Sequence, residues 1–164
     1  MLSEIYSPFM SNKFKIFLEI TGQLNKHGIF PILCGSLGVA RLIKVNDIED
    51  IDIVIPDVWL TDKFAEFKNI MLGIGFKQDK DYPHEFNRAK KDGSHIGFEP
   101  RSSLKKDLGV VPKQIKTIEI NGVKFGELSA EDYIAIYKKV IKMWEKRMAK
   151  RIYKVKELEK LLKK

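Results

Sequence analysis

Cysteine is nearly absent: Cys34 is the only one in 164 residues. That excludes an intramolecular disulfide framework and fits a reducing compartment, so the expected location is the cytoplasm. Within its apolar run, Cys34 reads as a small buried side chain rather than a nucleophile. No stretch approaches the roughly 20 apolar residues that cross a bilayer, and the N-terminus lacks a signal-peptide pattern, so no membrane partner is expected. Internal repeats and low-complexity linkers are also missing, which leaves one domain as the simplest division. Three histidines and one cysteine supply no closed zinc ligand set.

An apolar content of 44% allows a real core at this length. The formal net charge of +8 favours anionic partners, but its distribution is uneven. From Lys138 onward there are twelve Lys and Arg against three acids, Glu145, Glu157 and Glu159. Such a tail can be a solvated helix face, can steer nucleotides, or can hold a nucleic acid. It lacks the interleaved aromatics of single-strand binders.

The chain divides into short elements. Ser11 or Asn12 caps a helix with Phe14, Phe17, Leu18, Thr21 and Leu24 on one face, and Gly28 ends it with His27 in its last turn. Phe30 to Cys34 is a buried strand, Leu37 to Lys44 a short helix, and Asp50 to Ile55 a second strand stopped by Pro56. Thr61, followed by Asp62, caps a helix that Gly73 and Gly75 close. Ile74 to Lys77 is a weak strand candidate. His84–Ala89 and Ser94–Phe98 flank Lys91-Asp92-Gly93, while Ile115–Ile120 and Val123–Phe125 flank Asn121-Gly122; both read as hairpins. Between these pairs, Arg101 to Pro112 carries no assignable pattern. Ser129 caps a long helix bearing Tyr133, Ile136, Tyr137, Val140, Ile141 and Trp144, and a final helical segment covers Tyr153 to Leu162. Residues 1–128 form the expected core, and 129–164 a helical segment packed on the same domain.

The informative stretch is Ile32 to Ile55, ILCGSLGVARLIKVNDIEDIDIVI. Strand alternation puts Asp50 and Asp52 on one face and Ile51, Ile53 and Ile55 on the other. Adjacent carboxylates repel unless a cation lies between them, and Mg²⁺ prefers oxygen ligands of this kind. A Gly35-Ser36 corner can turn backbone N–H groups toward a phosphate. Phosphate cradle and carboxylate pair together point to nucleotide chemistry.

Cys34-Gly35-Ser36, thirteen residues, then Asp50-Ile51-Asp52-Ile53 resembles the signature of the polymerase-β-like nucleotidyltransferase superfamily. Ile120-Asn121-Gly122-Val123 and Leu128-Ser129-Ala130-Glu131-Asp132-Tyr133 are similar to the hairpin and helix start that follow the core in small bacterial members. The resemblance implies an α/β (α+β) fold: a mixed β-sheet with flanking helices and a C-terminal helical tail. It also implies Mg²⁺, two ions held by Asp50 and Asp52, with the NTP phosphates at Gly35 and Ser36. The expected reaction moves an NMP group from an NTP to an acceptor hydroxyl of unknown identity, on a small molecule, protein or tRNA. Two metals would neutralise charge on the entering and leaving oxygens.

One departure is visible. Superfamily members carry a third acid on a neighbouring strand, and in Ser94-His95-Ile96-Gly97-Phe98-Glu99-Pro100 that position is Gly97. Glu99 shares its face and is the expected substitute, ahead of Glu119. Without a third acid the alternative is a degraded module that binds nucleic acid, through its basic tail, or a protein partner. His84, Glu85 and His95, flanking one turn, read as hairpin residues, with a metal or general-base role as the other option.

Overall fold

The computed structural model describes residues 11–45, 48–88, 94–112, 114–143 and 148–164. Phenylalanines and β-branched residues at alternating positions build the centre. Among the described residues seven strands form one mixed sheet, β1 (Ile32–Cys34), β2 (Ile51–Ile55), β3 (Phe76–Gln78), β4 (Glu85–Arg88), β5 (His95–Pro100), β6 (Lys116–Ile120) and β7 (Val123–Glu127). Their order is β3-β4-β5-β2-β1-β7-β6. β1 runs antiparallel to β2 and parallel to β7, and β2 is parallel to β5. Three antiparallel pairings, β3–β4, β4–β5 and β6–β7, complete the sheet, so the Asn121-Gly122 hairpin forms one edge while the β4–β5 hairpin lies inside β3 at the other.

Helices α1 (Asn12–Lys26) and α3 (Phe64–Gly73) cover one face. There Phe67 meets Phe86 and Phe98 edge-on at 5.7 and 4.8 Å, and Phe17 meets Phe125 at 5.0 Å. Such T-shaped contacts add directionality to a core that area burial alone would leave loose. Helices α5 (Ala130–Met143) and α6 (Met148–Leu162) pack together over the other face, burying Tyr133, Tyr137, Val155 and Leu158 with Ile32, Cys34 and Val54. Two small helices, α2 (Gly35–Ala40) and α4 (Ser103–Lys106), complete the described helices, beside a 3₁₀ turn at Asp57–Leu60.

Local signals act as expected at several ends. Ser11 Oγ accepts from Phe14 N–H, and Ile29 N–H reaches back to the Leu24 carbonyl past Gly28 at φ +72°. Asn121 and Gly122 both adopt positive φ, 51° and 79°, the pair a two-residue hairpin turn needs. Ser129 and Asp132 exchange side-chain to backbone hydrogen bonds at 3.1 and 3.3 Å, closing the start of α5.

Three expectations need correction. The short helix expected over 37–44 begins at the corner and ends at Ala40, because the helix opens on Gly35 at φ +64°. Thr61 does not cap α3: its hydroxyl bonds back to the Asp57 carbonyl within the 3₁₀ turn, and α3 starts after Lys63 without a side-chain cap. Arg101 to Pro112 is not patternless, since it holds α4. The expected lead-in over 1–10 and the Lys91-Asp92-Gly93 turn lie outside the described residues.

Candidate active site

The corner is built by a chain reversal between β1 and α2. A side chain at Gly35 would collide with the Asp52 carboxylate, so both its positive φ and its neighbour demand glycine. Ser36 is buried, and its Oγ accepts the Glu49 N–H at 2.9 Å, leaving the hydroxyl proton to donate. From α1, Lys13 Nζ donates to the Ile48 carbonyl at 2.8 Å and also to that of Glu49. Residues 48–49 are thus gripped from two sides, and this fixes where Asp50 emerges. Asp50 itself lies in a bend just before β2, with its side chain 59% exposed. The expectation that it starts the strand is off by one residue.

Register places the rest. Cys34 pairs with Asp52, Asp52 with Gly97, and Gly97 with Glu85, a row across β1, β2, β5 and β4. Paired residues share a face, so this row looks toward α5 and α6. A Cβ on Gly97 would lie 3.3 Å from Asp52 Oδ1, so the position at which the resemblance expects a third acid is beside Asp52. Glu99 is on the same face but opposite Val54, two residues further along β5. Strand geometry puts its backbone roughly 8 Å from that of Asp52. Glu119 is on β6, separated from β2 by β1 and β7, and its carboxylate pairs with Lys124 at 3.7 Å. It is remote from Asp50 and Asp52.

The acids strain one another. Burial, then the charges of Asp50, Glu99 and Glu49, push the Asp52 carboxyl up to about 7. Glu99 is also raised, chiefly by partial burial. Burial raises the Cys34 thiol far above its ordinary range, with the Asp52 and Glu99 charges adding, so the thiol stays protonated and inert. His95 stands between two carboxylates: Nε2 is 3.0 Å from Glu85 Oε2, and Nδ1 is 3.3 Å from Asp50 Oδ2 without hydrogen-bond alignment. His84 packs instead on the Phe64 ring.

No cluster of three or more His, Cys, Asp or Glu side chains able to hold a metal occurs among the described residues. Asp50 and Asp52 alone still suit Mg²⁺, which commonly takes one or two carboxylates and fills its octahedron with water and phosphate oxygens.

Five residues at the site escaped the sequence reading as site residues. A cavity of about 80 Å³ between the corner and the C-terminal helices is lined by Gly35, Ser36, Glu49, Asp52, Tyr137 and, from α6, Lys150, Arg151 and Lys154. The signal existed: positions 150, 151 and 154 share one side of a helix. A larger cavity of about 860 Å³, bounded by Leu42, Val110, Gln114, Glu127 and Asp132 among others, shares no lining residue with it.

A mixed sheet with a glycine-serine corner between β1 and α2, and an Asp on the adjacent antiparallel strand, is the fold of the polymerase-β-like nucleotidyltransferases. Solved structures agree. The chain superposes on an antigenic nucleotidyltransferase-like protein from Paracoccidioides brasiliensis with a TM-score of 0.59 and 15% identity, over 88% of this chain and 73% of that one. For the antibiotic-resistance factor ANT(2″)-Ia in solution the TM-score is 0.61 with 16% identity, over 93% and 86%. For the lincomycin-bound lincosamide antibiotic adenylyltransferase LnuA it is 0.56 with 12% identity, over 93% and 98%. No protein-family model matches the chain. The chain is 34% identical over 125 residues to the uncharacterized protein YnaI of Bacillus subtilis (strain 168), covering 75% of this chain and 78% of that protein, and belongs to the family of YnaI.

Proposed function

We propose that the protein is a Mg²⁺-dependent nucleotidyltransferase that moves an NMP group from an NTP to an acceptor hydroxyl. The observation that carries this reading is the convergence of the Gly35-Ser36 corner and the Asp52 carboxylate on one small cavity. Asp50 and Asp52 hold the metal, two ions by the resemblance, which when bound neutralises charge on the entering and leaving oxygens. Gly35 lets the chain approach a phosphate closely, and Ser36 donates its hydroxyl or N–H to a terminal phosphate. Glu99, on the strand beside β2 and on the same face as Asp52, is the acid assigned to orient the acceptor hydroxyl and take its proton. The fold relatives named for antibiotics make a small hydroxylated molecule one candidate acceptor. Among the described residues no helix is long and apolar enough to cross a membrane, and the lone buried cysteine fits a cytoplasmic setting.

Gly97 favours a second reading, a module that binds nucleotide without transferring it. The two separate in one experiment: incubation with NTPs labelled at the α-phosphate, Mg²⁺ and candidate acceptors. Label passing to an acceptor with the native chain and not with Asp52→Asn supports the enzyme. Nucleotide binding with no transfer to any acceptor supports the module.

A further inference from the structure

A ring nitrogen beside the acidic pair lacks a partner. His95 stands on β5 next to Asp50, one step before the paired Ile51 and Ile96. Its Nε2 lies 3.0 Å from Glu85 Oε2. The carboxylate accepts there, so the hydrogen is on Nε2 and Nδ1 keeps its lone pair. Nδ1 is buried and makes no hydrogen bond among the described residues, although Asp50 Oδ2 is 3.3 Å away. Two acceptor atoms this close repel unless a cation lies between them, and a buried polar atom left unmatched costs free energy. The spacing suits a metal ion. Bonds of about 2.1 Å meeting at right angles put adjacent ligands of an octahedral ion roughly 3 Å apart. Histidines that ligate metals commonly donate their other ring N–H to a carboxylate, the part Glu85 plays.

We propose that His95 is a ligand of the metal at Asp50, bound through Nδ1 with Glu85 holding the ring. This rests on the nucleotidyltransferase reading and deepens it, because the ion held by the carboxylates also meets a nitrogen. Asp50 and His95 are not a closed set. Asp50 is exposed, which leaves water and phosphate oxygens to fill the other positions. Gly97, two residues along β5, brings no ligating atom. Imidazole favours first-row transition ions, whereas Mg²⁺ prefers oxygen alone. The site therefore accepts Mg²⁺ and holds a transition ion such as Mn²⁺ more tightly than its carboxylates would by themselves.

Electron paramagnetic resonance with Mn²⁺ alone, on the full chain at mildly alkaline pH, tests the assignment. Spin-echo modulation from a directly bound imidazole nitrogen is expected in the native protein. The chain has three histidines, so the source is found by substitution. The modulation persists in His27→Gln and His84→Gln and is lost in His95→Gln. Competition calorimetry gives the ratio of Mn²⁺ to Mg²⁺ affinity, which falls ~10-fold or more in His95→Gln. Glu85→Gln keeps the nitrogen signal and weakens Mn²⁺ by ~10-fold. Circular dichroism confirms that each variant is folded. Were His95 instead a cation paired with Asp50, His95→Gln would bind Mn²⁺ more tightly. That result, or a native Mn²⁺ site that needs Asp50 and Asp52 and shows no nitrogen, overturns the ligand while the nucleotidyltransferase reading stands. If neither Mn²⁺ nor Mg²⁺ binds the native chain, with ATP or without it, both fall.

Discussion

At the scale of single residues, the site is governed by Asp52. Its carboxyl, raised to about 7 from 3.8, binds a proton in the folded protein over a range where the unfolded chain has released it. Stability from this group is therefore largest at low pH and falls as pH rises from about 3.8 to 7. Asp52→Asn removes the penalty, so the metal-free variant is expected to be more stable than the native chain at pH 8 by ~1–3 kcal/mol, and no more stable at pH 4. Denaturant melts at the two pH values check this. Mg²⁺ needs the ionised form, so Mg²⁺ affinity should climb as pH passes from 6 to 8, which a titration followed by calorimetry reads directly. Gly97 gives a second prediction. Gly97→Asp adds a carboxylate beside Asp52, and a transferase limited by the lack of a third acid should gain ~10-fold or more in turnover. Unchanged turnover would place the limitation elsewhere.

At the scale of elements, the sequence was readable wherever a local rule acted alone. Asn121-Gly122 specified a hairpin because only positive φ at both residues fits the twist of the flanking strands. Gly122→Ala should cost ~1 kcal/mol or more in a thermal melt, and Ser129→Ala, which deletes the α5 cap, ~1 kcal/mol. That the Gly35-Ser36 corner and Asp52 lie side by side was readable for a similar reason, since the interval between them fits a strand, a short helix and a return strand. What was not legible depended on the third dimension. Thr61 looked like a cap, yet a 3₁₀ turn claimed its hydroxyl. Lys13 carries no sequence signal, and only the fold shows it clamping the connector before Asp50. Arg151 and Lys154 were counted with the rest of a basic tail, because sequence spacing puts them on one helix face without saying what that face meets. Which of Glu99 and Glu119 lies nearer Asp52 depends on strand order, which no local pattern reports.

At the scale of the whole molecule, the sheet separates two cores with different duties. The Phe-rich face under α1 and α3 is structural, and the α5–α6 face frames the site. Phe67→Ala should lower stability by ~3–5 kcal/mol while leaving the nucleotide affinity of the folded fraction within twofold. Leu158→Ala, which loosens α6, should lower both. A denaturation series paired with binding isotherms separates the two outcomes. The +8 charge acts at this scale too, by favouring the approach of anions to the protein as a whole. All of this stands on one claim, that an NTP binds between the corner and Asp52 with help from metal. Calorimetry with ATP, CTP, GTP and UTP in Mg²⁺ measures it most directly. At least one NTP is expected to bind, with Mg²⁺ tightening binding ~10-fold or more over EDTA and Asp52→Asn removing this gain. Binding of no NTP, or a gain from Mg²⁺ that survives in Asp52→Asn, would contradict it.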